Sequence, residues 1–464
     1  MSTMCDIVVI GAGPGGYAAA FYAADLGYRV VLIEKDDSLG GVCLNRGCIP
    51  SKSLLHATGL YQSMKTAGSM GIHATAELDI NQLREWKSGV VRQLASGVSQ
   101  LAASRQVQVI QGRAHFESSD KLRVNTSTGQ VWIEYKKAII ATGSRPAMPS
   151  AFDLGSQRIM TSTEALNIAR VPDNLLIIGG GYIGMELGVV YARMGSAVHV
   201  VEATGAVLAG ADADLVRPVE AVASTLFASI QKSAKVIDMK TQGEAISVVI
   251  ETQGEKQTHN FDAILVAVGR SPNTDLGLEN TRVKRDDAGF IQCNAQQQTD
   301  DASIFAIGDC AGGLLLAHKA SKEARIAVDA IAGRSPMALN TGLIPAVVFT
   351  DPEIAWVGLT ETEAKATDQS VKIARFPWRA SGRAMSIGRT DGLTKLIIDP
   401  QTNKILGAGI VGQHAGDLIS EITLAIGMQA TVEDIAAIIH PHPTLSETVL
   451  EASEVFLGHC THLK

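Results

Sequence analysis

The run Ile7-Val8-Val9-Ile10-Gly11-Ala12-Gly13-Pro14-Gly15-Gly16, then an alanine-rich stretch, then Arg29-Val30-Val31-Leu32-Ile33-Glu34, decides the fold of the N-terminal part. The apolar residues before Gly11 read as a short buried strand over 5–10. The alanine-rich stretch reads as a helix and 29–33 as a second strand, so the three form a βαβ unit. Gly11, Gly13 and Gly16 carry the G-x-G-x-x-G spacing between strand and helix. The first glycine permits a tight turn, the second lets the backbone approach a pyrophosphate, and the third lets helix pack closely on strand. The helix N-terminus adds free N–H groups and the positive end of its dipole. Glu34 closes the second strand, where a carboxylate can accept hydrogen bonds from ribose hydroxyls. Glycines alone would specify only a turn; strand, helix and acid together predict a dinucleotide site.

The same grammar restarts 168 positions later (179 − 11 = 168). Leu175–Ile178 reads as a strand, Gly179, Gly181 and Gly184 as the turn, 185–194 as a helix and 197–201 as the next strand, closed by Glu202. A carboxylate there suits the free 2′-hydroxyl of NAD and repels the 2′-phosphate of NADP. The following Ala203-Thr204-Gly205-Ala206-Val207 offers no arginine for a phosphate, so NAD is the expected nucleotide. A Glu that merely ends a strand would leave the preference open. Two dinucleotide sites in one chain predict FAD at one, a nicotinamide at the other, and hydride passing between them.

Outward from these units, 50–65 and 81–104 read as helices and 107–135 as a small meander of alternating polarity. A strand over 137–140 runs into Ala141-Thr142-Gly143, and Gly143 is assigned to cofactor binding. Another strand, 264–268, runs into Gly269-Arg270, and 303–309 forms a strand ending in an acid, Asp309. A helix follows at 317–332, and 211–260 carries no legible pattern. From 341 the texture changes to strands and then long helices at 416–428 and 432–439. The fold class is therefore α/β, with two Rossmann-like dinucleotide-binding units and a C-terminal α+β domain.

With 464 residues the chain is too long for one ordinary core. A formal charge of -7 without a Lys/Arg run argues against nucleic acid as the main partner. No run of 18 apolar residues and no signal-peptide pattern is found, so no membrane span and a cytoplasmic-type compartment are expected. Six cysteines do not make a secreted disulfide framework; Cys5, Cys293, Cys310 and Cys460 are isolated.

Cys43 and Cys48 stand apart, in Gly40-Gly41-Val42-Cys43-Leu44-Asn45-Arg46-Gly47-Cys48-Ile49-Pro50-Ser51-Lys52. A single C-x4-C without a second pair or a nearby histidine is a poor zinc site. Two unlinked thiols are a further possibility. Five steps along a straight helix rise about 7.5 Å, whereas a disulfide wants Cα atoms roughly 4.4–6.8 Å apart. A bridge therefore needs a distorted turn, which Gly47 and Pro50 permit. Such a local, reducible bridge suits redox work better than stapling. Lys52 is either a solvated lysine or a charge that stabilises a neighbouring thiolate or reduced flavin.

Near the C-terminus, His440-Pro441-His442-Pro443-Thr444-Leu445-Ser446-Glu447 offers three readings. Thr444-x-x-Glu447 fits a capping box. The two histidines can be metal ligands, though no cysteine or carboxylate cluster supports that, and no metal is expected. His442 on a proline-stiffened loop with Glu447 nearby suits a general base whose ring an acid orients.

Residues 40–52 and 442–447 resemble the redox and catalytic segments of the dihydrolipoamide dehydrogenases, within the pyridine nucleotide–disulfide oxidoreductases. Ala317-His318-Lys319-Ala320 and Phe349-Thr350-Asp351-Pro352-Glu353 match in place, and the likeness spans essentially the whole chain. It implies an FAD-binding domain (1–148), an NAD-binding domain (149–270), a central domain completing the FAD site (271–340) and a dimer-interface domain (341–464). It makes Cys43 the thiol that exchanges with substrate and Cys48 the thiol next to the flavin. Lys52 pairs with Glu186 near the flavin, and His442, oriented by Glu447, serves the other subunit of a homodimer. Asp309 and Ala317 belong to the FAD site and Gly269 to the NAD site. The implied reaction oxidises protein-bound dihydrolipoyl groups and reduces NAD, with lipoyl domains of 2-oxo acid dehydrogenase complexes or the glycine cleavage system as partners. Val42 departs from the pattern, where threonine is common. Glutathione and mercuric reductases share the redox segment. Glu202 argues against the NADPH of the first, and a single Cys460 against the C-terminal cysteine pair of the second. A non-catalytic flavin-binding subunit would not need Cys43, Cys48, His442 and Glu447 together.

Overall fold

The computed structural model describes residues 2–335 and 338–464; positions 336 and 337, within the expected central domain, lie outside the described residues, as does position 1. The first βαβ unit builds a parallel sheet in the order Gln108–Gln111, Val30–Glu34, Ser2–Ile10, Gly129–Ile140, with Ile304–Ala306 on the far side of the last strand. Residues 7–10 and 30–33 are apolar because both sheet faces are covered: helices Pro14–Asp25, Ile80–Ser104 and Ala317–Ile331 pack on one, and the antiparallel strands Arg113–Ser118 and Lys121–Thr126 on the other.

The expected meander and the expected strand 137–140 are not separate. Gln108–Gln111 joins the parallel sheet, and Gly129–Ile140 is one strand of 12 residues with two jobs. Its first half pairs antiparallel with Lys121–Thr126, and its second half pairs parallel with Ile304–Ala306. Charged residues between its apolar ones mark faces, not ends. The strand expected over 303–309 stops at Ala306, and Asp309 lies in a 3-10 turn, Gly308–Ala311, facing the sheet's carboxyl end.

The second unit repeats the order: Ser229–Gln231, Ala197–Val201, Asn174–Ile178, Ala263–Val266 and Ile159–Met160, all parallel. The stretch 211–260 resolves into a helix, Ala213–Leu226, and an antiparallel meander, Ala234–Gln242, Ala245–Thr252 and Glu255–Phe261. The C-terminal part is a five-stranded antiparallel sheet, Ala346–Val348, Glu353–Gly358, Ile405–Gly412, Leu393–Ile398, Lys372–Pro377, packed against helices Ala415–Gly427 and Glu447–Leu457. The helix expected over 432–439 is only Val432–Ala436. Pro441 disfavours helical geometry in the residue before it, and Ile439 is left 95% exposed.

The second unit and the C-terminal sheet are joined by a buried charge cluster. Lys395, with no exposed side-chain surface, meets Asp212 at 2.8 Å, Asp214 at 2.9 Å and Glu361 at 2.8 Å. Burial works against the Lys395 charge, but the three carboxylates outweigh it and hold the ammonium above its usual range. Lys395→Met removes the cation at similar volume and strands the carboxylates; a loss of about 3–5 kcal/mol is expected in denaturant unfolding of the intact protein. An unchanged unfolding midpoint would show the cluster to be energetically neutral. Burial also opposes ionisation of Glu361, yet Lys395, Lys365 and Arg375 bring it down to about 2 from 4.5. Its contribution is complete above pH 4.5 and is lost as pH falls toward about 2.

Candidate active site

Both glycine turns take the expected form, but the third glycine of each already lies inside the helix. Gly13 caps helix Pro14–Asp25 and Gly181 caps helix Tyr182–Arg193, which therefore starts earlier than the expected 185. Gly11 has φ +98°, and a Cβ there would come 2.4 Å from the Ala141 carbonyl. A Cβ on Gly16 would come 1.8 Å from the carbonyl of Gly11, and one on Gly184 2.1 Å from that of Gly179. Close helix–strand packing thus excludes any side chain at these positions.

The two acids hold their own turns. Glu34 accepts from the N–H groups of Ala12 (2.8 Å) and Asp36 (3.0 Å). Glu202 accepts from the N–H groups of Gly180 and Thr204, each at 2.7 Å, and from the Thr204 hydroxyl at 2.8 Å. Burial works against its ionisation, but these donors outweigh it and keep its carboxyl below the usual range.

The cysteine pair sits at a helix break. Helix Gly41–Arg46 ends at Gly47 and helix Cys48–Thr66 begins at once, with Pro50 in its first turn, where a missing N–H costs no helical bond. A Cβ on Gly47 would come 2.9 Å from the Val42 carbonyl, so only glycine allows the two helices this approach. Cys43 and Cys48, expected as a redox pair, stand unlinked on either side of this break. The contact between the two thiols, then burial, push the Cys43 thiol up, while the same contact, with Lys52, draws Cys48 down against burial. Of the two sulfurs, Cys48 is the one that ionises more readily.

Lys52 lies one helical turn beyond Cys48 and bonds both oxygens of Glu186, at 2.9 and 3.1 Å. Glu186 is 3% exposed and also accepts from the Ser51 hydroxyl (2.8 Å) and the Phe349 N–H (3.0 Å). A cleft of about 790 Å³ runs from Gly11, Gly13 and Glu34 past Gly143, Asp309 and Ala317 to Cys43, Cys48, Lys52 and Glu186. Arg270, not anticipated from the sequence, ties its middle together, donating to the Ser144 hydroxyl at 2.7 Å while Ser144 bonds Asp309. Gly269 precedes it with φ +131°. No local pattern marks Arg270; its partners Ser144 and Asp309 lie far from it in the chain.

His442 does not line this cleft. Its Nδ1 lies 2.9 Å from Glu447 Oε1, while Glu447 Oε2 accepts from the Thr444 N–H at 2.7 Å. Glu447 thus holds the His442 ring on one oxygen and the Thr444 N–H on the other, but the expected capping box does not form: the helix starts at Glu447 itself, its N-cap is Ser446, and the Thr444 hydroxyl donates to the Pro441 carbonyl instead. The ring is 77% exposed, leaving Nε2 without an intrachain partner among the described residues. His440 is turned inward to Glu421 at 2.8 Å, so the two histidines share no ligand position.

Residues 5–324 match the family model described as pyridine nucleotide-disulphide oxidoreductase. The chain belongs to this family. It is an oxidoreductase with a dimerisation domain, whose model matches residues 344–453 and so spans the His442–Glu447 pair. Among relatives of this family, the dihydrolipoyl dehydrogenase of Halobacterium salinarum is 44% identical over 100% of this chain and 98% of its own length. That of Geobacillus stearothermophilus is 43% identical over 99% of this chain and 97% of its own. Among solved structures, LpdA from Mycobacterium tuberculosis is similar with a TM-score of 0.91 and 26% identity, covering 97% of this chain and 99% of its own. The HOCl-induced flavoprotein disulfide reductase RclA of Escherichia coli, as its Cu(II) complex, gives 0.88 and 27%, with the same coverage. Among the described residues of this family member, no helix is long and apolar enough to cross a membrane.

Proposed function

We propose that the chain is a dihydrolipoyl dehydrogenase, oxidising dihydrolipoyl groups to the lipoyl disulfide and reducing NAD, with FAD in the cleft. The observation that carries this reading is the Cys43–Cys48 pair at the end of a nucleotide cleft, with Lys52 beside it. Full-length relatives named dihydrolipoyl dehydrogenase support the substrate. The cleft suits FAD because its cradle is kept free of side chains: a Cβ on Gly41 would come 2.5 Å from Gly13 Cα. Gly11, Gly13, Gly16, Glu34, Gly143, Asp309, Ala317 and Lys52 would hold it. When bound, FAD supplies two-electron exchange between the cysteine pair and NAD.

The protein's own groups do the thiol chemistry. His442 takes a proton from one dihydrolipoyl thiol, and Glu447 stabilises the resulting imidazolium. The substrate thiolate attacks Cys43 Sγ, the Cys43–Cys48 bond breaks, and Cys48 leaves as a thiolate beside the Lys52 charge. The second substrate thiol attacks the mixed disulfide, closes the lipoyl ring and frees Cys43. Because His442 is remote from its own cleft, it serves the cleft of a second copy, which makes the working unit a homodimer. Exposed Leu424 (64%), Met428 (73%) and Ile439 (95%) leave an apolar face on the dimerisation domain for that contact. The domain divisions at 148, 270 and 340, a cytoplasmic location and lipoyl domains as partners belong to the same reading.

Gly179, Gly181, Gly184, Glu202 and Gly269 are assigned to NAD. Glu202→Gln keeps the shape and removes the charge, so the preference for NAD over NADP, as a ratio of kcat/KM, is expected to fall at least about tenfold. An unchanged ratio would mean that selectivity lies elsewhere. The reading as a whole is tested by mixing flavin-loaded protein, without NAD, with one equivalent of dihydrolipoamide under anaerobic conditions. Two new alkylatable thiols per chain, at Cys43 and Cys48, are expected; none would contradict it.

A further inference from the structure

Glu186 is saturated. Its Oε2 accepts from Ser51 and Lys52, and its Oε1 from Lys52 and the Phe349 N–H. The Lys52 side chain is one third exposed, and its ammonium also lies 4.5 Å from the centroid of the Phe349 ring. Phe349 follows the dimerisation-domain strand Ala346–Val348. Two residues further, Asp351 pairs with Arg193, which lies on the same helix as Glu186 and two turns beyond it. The segment 349–351 is therefore fixed to this helix at both ends.

We propose that Phe349 is a positioning residue for the Cys48 thiolate: its N–H fixes Glu186, and its ring face holds the Lys52 ammonium toward Cys48. The physical need is specific. Lys52 already bonds both Glu186 oxygens, and an ammonium drawn further onto that carboxylate or released into water presents less field to a nearby sulfur. An aromatic face attracts the cation without carrying a formal negative charge of its own. Cys48 and Lys52 are i and i+4 on one helix, so the Lys52 side chain shares a helix face with the sulfur. The C-terminal domain thereby reaches the redox centre of its own chain, separately from the role given to His442.

The other ionisable groups around Cys48 and Glu186 are Cys43, Tyr17 and Tyr182, with Arg270 and Asp309 beyond Tyr182. Burial holds both tyrosines above their ordinary range, so neither charges where a thiolate forms.

The inference rests on the proposed role of Cys48 beside a flavin, and the test separates the two. The holoprotein is reduced with one equivalent of dihydrolipoamide, and the long-wavelength absorbance of a thiolate donor against oxidised flavin is titrated with pH. Loss of that band in Cys48→Ser assigns it; a wild-type protein without any band contradicts the reading of the site. Phe349→Leu keeps the N–H and removes the ring. An upward shift of the midpoint by about half a pH unit, roughly a threefold loss of thiolate, is expected, with Phe349→Tyr returning to the wild-type value. Phe349→Met, closer in reach to the ring, gives the same reading should the leucine variant fold poorly. A midpoint unmoved in Leu and Met, or one moved equally in Tyr, overturns the inference.

Discussion

Cys48→Ser is expected to lower dihydrolipoamide-dependent NADH formation by at least about a thousandfold while the protein stays yellow. Serine cannot form the disulfide that substrate must open, and its oxygen cannot leave as a stabilised anion beside Lys52. The groups assigned to the flavin's phosphates and ribose, Gly11, Gly13 and Glu34, lie on other elements and are untouched. Cys48 opens helix Cys48–Thr66, where serine is well tolerated, so loss of fold is not the expected cause. Turnover is read as NADH absorbance and flavin content from the visible spectrum of the same sample. Retained turnover would remove the pair from the electron path. Loss of flavin together with turnover would move Cys48 from chemistry to cofactor retention.

His442→Ala gives the second large effect, and a selective one. Without a base, the substrate thiol must lose its proton to water, and a fall of about a hundred- to ten-thousandfold in kcat/KM for dihydrolipoamide is expected. NADH-driven reduction of an artificial dye needs neither the substrate thiol nor His442 and should remain within about twofold of wild type. Glu447→Gln should fall between, since the amide can still orient the Nδ1 hydrogen bond seen at 2.9 Å but cannot balance an imidazolium. Equal losses in both assays for His442→Ala would indicate damage to the fold or to the assembly.

The parts of the site legible in the sequence are those in which local spacing carries the chemistry. The turns at Gly11–Gly16 and Gly179–Gly184 declare themselves because a short glycine spacing, an adjoining apolar strand and a terminal acid are needed together. Cys43 and Cys48 are legible for a similar reason: the break they need lies at Gly47, between them. What stayed illegible depends on distant partners. The 12-residue strand Gly129–Ile140 reads as two pieces because it belongs to two pairings at once. Asp212 and Asp214 look like ordinary surface acids until Lys395 and Glu361 arrive from the C-terminal sheet. The meander 234–261 alternates too weakly, since strand Glu255–Phe261 is largely exposed. Arg270 and Phe349 acquire their roles only through Ser144, Lys52 and Glu186, each supplied by another part of the chain.

The central claim is that this fold joins a dihydrolipoyl dithiol to NAD. The most direct measurement is NADH formation from dihydrolipoamide by the purified flavoprotein, with NAD and NADP run side by side. Rapid turnover strongly selective for NAD is the predicted result. A flavin-loaded protein that is inactive there, yet consumes NADPH with glutathione disulfide or another acceptor, would contradict both the substrate and the role given to Glu202.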